Sequence, residues 1–135
     1  MTDFGRSLCT DLDTATGREW LVANGRGGDA MGTVSGIRTR CYHGLLVAAL
    51  DPPLGRTLLV AQTDETVRIN DTEVSLATHR WADGTVAPRG WIHLDRFHRE
   101  GPVPVWTYAA GDALLEKRVW MEHGEATTYV RYTLT

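Results

Sequence analysis

Short apolar runs, several alternating with polar residues and most closed off by Gly, Pro, Asn or Asp, recur through this chain. That punctuation leaves no room for long helices, because no interval between breaks can wind an apolar stripe at the 3.6-residue period. The runs read as strands over residues 19–23, 43–50, 56–69, 72–79, 90–98, 103–110, 113–122 and 126–134. Between them stand NGRGG, DPPLG, IND, ADGTVAPRG, REGP, AGD and HGE, which supply the residues that chain reversals need. AGD and HGE each read as a tight hairpin, so the last four runs form an antiparallel meander. Within 113–122, Leu115, Val119 and Met121 face one way while Glu116, Arg118 and Glu122 face the other. Trp120 falls with the polar set, which points to cover on that face as well. The expected fold is all-β, an antiparallel β-sandwich, in a single domain over residues 1–135. YVRYTLT is still alternating at the last residue, the pattern of a fragment or of an edge that pairs with something else.

Asn24 to Ala30, NGRGGDA, follows the first run and fits G-x-G-x-x-A through Gly25, Gly27 and Ala30. A dinucleotide loop needs a strand before it, a helix behind it and an acid further on. The strand is present and Asp51 could serve as the acid, but the helix would have to form from AMGTVSGIRTRC. There Gly32 and Gly36 each cost about 1 kcal/mol relative to Ala, and Thr33, Val34 and Thr39 add to that. Without the helix there is no ring of free N–H groups to hold a phosphate. The glycines therefore read as bends between strands. Ser35 adjoins Gly36, so the nucleophile elbow G-x-S-x-G is also missed.

A formal charge of -3 and a pI near 5.9 give no electrostatic reason to expect nucleic acid or an anionic membrane. Lys117 is the only lysine among the basic residues. Cys9 and Cys41 form no CxxC or Cys/His cluster and read as reduced thiols of a cytoplasmic protein. The N-terminus lacks an apolar signal region, and GLLVAAL is too short to span a bilayer. His93 with Asp95 supplies two ligands, too few for zinc, and DLDTATG misplaces the glycine of a calcium loop. No metal and no cofactor are expected. Asp64 with Glu65, or Asp95, could be named as acids, but TDETV reads as a solvated strand face and no catalytic residue is assigned.

The better candidate is TRCYHG with the preceding Asn24–Gly25. If Cys41 and His43 share one strand face, Arg40, Tyr42 and Gly44 share the other. Arg40 can donate paired hydrogen bonds to vicinal hydroxyls, Tyr42 offers a flat face with a polar tip, and His43 can donate or accept. The alternative is that Arg40 and His43 lock the glycine-rich loop while Tyr42 is core. Of the five tryptophans, Trp81 in HRWADG is the one expected at the surface. The candidate substrate-binding set is Asn24, Arg40, Tyr42, His43 and Trp81.

The string EWLVANGRGGDAMGTVSGIRTRCYHGLLVAAL resembles the N-terminal domain of bacterial and archaeal glycogen debranching enzymes of the amylo-α-1,6-glucosidase type. There W-L-x-x-N-G-x-G-G leads through G-T-x-x-G to T-R-x-Y-H-G-L-L. The similarity continues through PPLGRTLLVAQTDETV, RGWIHLDRF, PVWTY and LEKRVWMEHGE. One departure is Asp29, where the family usually has an aromatic residue. The resemblance implies a β-supersandwich that precedes an (α/α)6 barrel. The barrel carries the catalytic carboxylates for α-1,6 cleavage, and the N-terminal domain helps bind α-glucan or glycogen and shape the site. It also implies a longer domain than this chain, hence a truncated sandwich with an uncovered edge through which copies associate. A structural or oligomerisation module without sugar affinity is the competing reading, and a small independent enzyme the third.

Overall fold

The computed structural model describes residues 3–51 and 54–135. Its larger sheet is the meander, preceded in sequence by a short N-terminal piece. That piece comprises strand β1 (Asp3–Gly5) and two short helices, α1 (Arg6–Cys9) and α2 (Leu12–Thr16). Strands β2 (Glu19–Ala23), β3 (Asp29–Thr33), β4 (Gly44–Asp51) and β5 (Leu54–Val60) form a four-stranded antiparallel sheet in sequence order. Two hairpins follow, β6 (Thr66–Ile69) with β7 (Thr72–Ser75), and β8 (Thr78–Arg80) with β9 (Val86–Arg89). A 3-10 turn, Gly90–His93, leads into β10 (Leu94–Glu100), β11 (Val103–Ala110), β12 (Ala113–Met121) and β13 (Thr128–Leu134). With β1 added beside β10, these make a five-stranded antiparallel sheet in the order β1-β10-β11-β12-β13.

The core lies between the two larger sheets, as binary patterning requires of a sandwich. Val22 and Ala30 meet Leu94, Phe97, Trp106, Leu115 and Val119 in one buried cluster. The Trp20 and Trp106 rings meet edge to face at 5.2 Å, and Trp106 meets Phe97 at the same centroid distance. On the other face of the meander Trp120 stacks on Tyr129, its direct partner across β12 and β13. Tyr129 is a neighbour in the same sheet and is itself 40% exposed, so this face is not covered by a second layer, against the expectation drawn from Trp120.

Several runs break where the period alone showed no break. Residues 56–69 divide into β5 and β6, and residues 72–79 into β7 and β8. Their connectors still pair through backbone, Leu45 N–H to Ala61 O and Leu76 N–H to Glu65 O, so apolar patterning continues while the strand changes partner. The run at residue 90 opens as a 3-10 turn because Gly90 lies against the Leu76 backbone, where a Cβ would come within 2.0 Å of a carbonyl oxygen. Strand β3 and both short helices carried no readable period. AGD closes tightly, with Ala110 opposite Ala113. HGE does not: its loop is closed one step further out by Glu122 N–H to Thr127 O.

That longer loop grips the glycine cluster. The Asn24 carbonyl accepts from Gly124 N–H at 2.6 Å, and its Nδ2 donates to Glu125 O at 3.0 Å. Its Oδ1 accepts from the N–H groups of Arg26 and Gly28, at 2.7 and 3.0 Å. Gly25, at φ 79°, lies against the His123 ring, 2.7 Å from where a Cβ would stand. No helix follows: residues 34–43 wander without regular structure. The glycines thus serve a loop that joins the sheets. Replacing Asn24 by Ala would strand the buried Gly28 N–H, the part-buried Arg26 N–H and the Glu125 carbonyl, so Asn24→Ala should lose about 2 kcal/mol in urea unfolding. Asn24→Asp, which keeps the acceptor, should lose less.

Candidate functional site

The expected strand alternation across residues 40–44 is replaced by a turn over residues 40–42, closed by His43 N–H to Arg40 O. β4 therefore starts at Gly44, a residue later than the apolar run suggested, and a Cβ there would collide with Leu58. The turn leaves Cys41 exposed and His43 fully buried, so the two share no face. His43 Nδ1 accepts from the Thr39 and Arg40 N–H groups at 3.1 and 3.3 Å. Its proton therefore sits on Nε2, which donates to Glu19 Oε2 at 3.3 Å. Arg40 Nε donates to the other oxygen of Glu19 at 2.6 Å. The hydrogen bond from Arg40 is the main reason the Glu19 carboxyl titrates below its ordinary range. The Arg40 guanidinium lies 5.7 Å over the Tyr42 ring, and that ring is 43% exposed.

Arg40, Tyr42 and His43 are therefore one cluster around Glu19. Asn24 is at the opposite end of β2, about 17 Å of strand away, and is buried in the inter-sheet grip. Trp81, 58% exposed, stands just after β8 with its indole N–H on Ala87 O and its ring 5.8 Å from His79. Asp29 pairs with Arg56 across β4 and leaves Oδ1 buried without a partner. Burial, the larger influence, outweighs that arginine and raises the Asp29 carboxyl above its usual value.

Between these groups lies a cleft. It is lined by Gly36, Arg38 and Gly44 and by Gln62, Thr63 and Thr78. Trp20, Trp106, Tyr108, Glu65 and Lys117 also line it. Register explains this lining: Trp106, Lys117 and Tyr132 form a row of direct cross-strand partners on β11, β12 and β13. The Lys117 ammonium sits 5.4 Å over Trp106 and 2.7 Å from Glu65 Oε2. Both side chains are largely buried, at 14% and 13% exposure. The reading of TDETV as a solvated strand face is corrected at Glu65: residues 63–65 precede β6, which begins at Thr66, and while Thr63 and Asp64 are exposed, Glu65 turns inward to the chain's single lysine. Asp64 turns to His79 and Gln62 instead. Burial pushes the Glu65 carboxyl up, but the Lys117 charge and donors from Lys117, Tyr132 and Thr63 more than offset it. The net value is below normal. Its position opposite Tyr132 and on the same face as Leu115 and Val119 was the one available sign that Lys117 is no ordinary surface lysine.

Among the described residues, no group of three or more His, Cys, Asp or Glu side chains is placed to hold a metal ion. No helix there is long and apolar enough to cross a membrane.

An open antiparallel sandwich with a loop-walled, aromatic cleft defines a class of all-β domain rather than a reaction. The chain belongs to the glycogen debranching enzyme N-terminal family, whose model matches residues 18–135, from just before β2 to the final residue. No curated protein and no solved structure matches it.

Because Glu65 titrates low, the stability it contributes is present above its ordinary value of 4.5 and is lost as pH falls through its lower folded value. Lys117→Met leaves that carboxylate buried without its cation and should cost about 3 kcal/mol or more near neutral pH. Chemical denaturation at pH 7 and pH 4 should show the deficit shrinking in acid, where Glu65 of the variant is protonated.

Proposed function

We propose that this chain is a non-catalytic α-glucan-binding and scaffold domain of a glycogen debranching enzyme. It holds glycogen for α-1,6 cleavage by a separate C-terminal (α/α)6 barrel. Family membership over residues 18–135 is the observation that carries the reading. The geometry supports it with Tyr42 backed by Arg40, and with Trp81, as exposed aromatic faces suited to the carbon face of a sugar ring. His43 holds the Arg40–Tyr42 turn and Asn24 a separate loop at the far end of β2; their polar atoms are spent on those loops, so neither is offered as a sugar contact. Asp64 and Glu65 both titrate low beside cationic or amide partners, the reverse of what a general acid requires. On this reading hydrolysis is the work of the barrel.

Glycogen or maltooligosaccharide titrated into the chain should perturb tryptophan fluorescence without release of glucose. Trp81→Ala and Arg40→Ala should each weaken binding about threefold to tenfold; a flat trace for the unaltered chain would remove the reading.

A structural reading is favoured by one observation: β5 is an edge strand with Leu58, Leu59 and Val60 exposed. On that reading two copies pair along β5. Light scattering should then show a dimer at all accessible concentrations that Leu58→Lys converts to monomer, with no sugar affinity in either form.

A further inference from the structure

We infer that the cleft floored by Trp106 and Tyr108 is a subsite for a single neutral sugar ring, recognised by Glu65 Oε1, the Tyr108 hydroxyl and Lys117. The inference rests on the glucan reading above and adds to it a location and a recognition chemistry that the exposed rings alone do not provide.

Two polar atoms in the cleft are left over by the fold. All three donors that reach Glu65, namely Lys117, Thr63 and Tyr132, converge on Oε2, and no donor reaches Oε1 among the described residues. Tyr108 is only 6% exposed and lines the same cleft, yet no side-chain hydrogen bond holds its hydroxyl there. Neither atom is among the described polar atoms that are fully buried without a partner. Lys117 has three N–H donors and spends one on Glu65. A free acceptor, a free hydroxyl and spare ammonium donors, with the half-buried Trp20 indole also lining the cleft, are what a ring of vicinal hydroxyls with an apolar carbon face needs. The pair at the floor is self-neutralised, and an anion would have to take Lys117 from Glu65, which selects against charged ligands.

The walls tie the cleft to both exposed aromatic groups. Gln62 bonds His79, whose ring neighbours Trp81. Arg38, which also lines the cleft, donates from Nε to His43 O, at the base of the Arg40–Tyr42 turn. One ring seated in the cleft therefore leaves the rest of a glucan to run over either neighbour.

The test uses the full chain, maltotriose and two readouts. Tyr108→Phe removes a hydroxyl that serves no internal bond, so it should leave the melting temperature unchanged while weakening maltotriose binding about fivefold. Maltotriose should also slow acylation of Lys117 by a small amine reagent, followed by mass spectrometry, without slowing that of the α-amino group. Unchanged affinity of Tyr108→Phe, or Lys117 acylation indifferent to maltotriose, overturns the subsite. If Trp81→Ala still weakens binding in that case, the glucan reading stands without it; if the unaltered chain ignores maltotriose and glycogen alike, both fall.

Discussion

Trp20 and Trp106 meet at right angles between the two sheets, and each spends its indole N–H where β3 gives way to the following loop, at Thr33 O and Val34 O. Burying one such side chain is worth up to about 5 kcal/mol by area, an upper bound for a compact unfolded state. The hydrogen bonds add direction to that energy. They hold the irregular segment 34–43 against the sandwich, and that segment in turn lines part of the cleft. Without this contact there would be two sheets but no defined space between the β3–β4 loop and the meander.

Charge is distributed around the same contact by neutralisation. Lys117 would be costly on an inward face, but Glu65 meets it, and Trp106 lies beneath the ammonium. Glu19 plays the corresponding part at the surface, holding Arg40 with one oxygen and His43 with the other. In both places one carboxylate organises two or more neighbours, so the loops are positioned by polar geometry where apolar packing is thin. The backbone around Asn24 adds a third anchor and joins β2 to the β12–β13 loop.

The meander was legible because β10 to β13 are long, alternate in β12 apart from Lys117 and Trp120, and are separated by glycine turns. Trp81 at the surface was legible from the polar loop around it. The cleft was not. Glu65 sits in a segment whose pattern resembles the flanking strands, and nothing local says that the chain leaves the sheet at Ala61. Thr39 to His43 misled in the opposite way: apolar alternation next to β4 suggested a longer strand, while the His43 ring held the backbone in a turn.

From its sequence alone this chain determined a β-class core, short strands and bends at its glycines, because period and turn chemistry act over a few residues. The resemblance carried by its motifs pointed to the family that residues 18–135 match. Only the tertiary structure decided that Lys117 meets Glu65, that Asn24 is an anchor, and that two indoles frame a cleft. Those are contacts between residues far apart in the chain, and which carboxylate meets which cation is settled by how the two sheets pack, a constraint that no local pattern records.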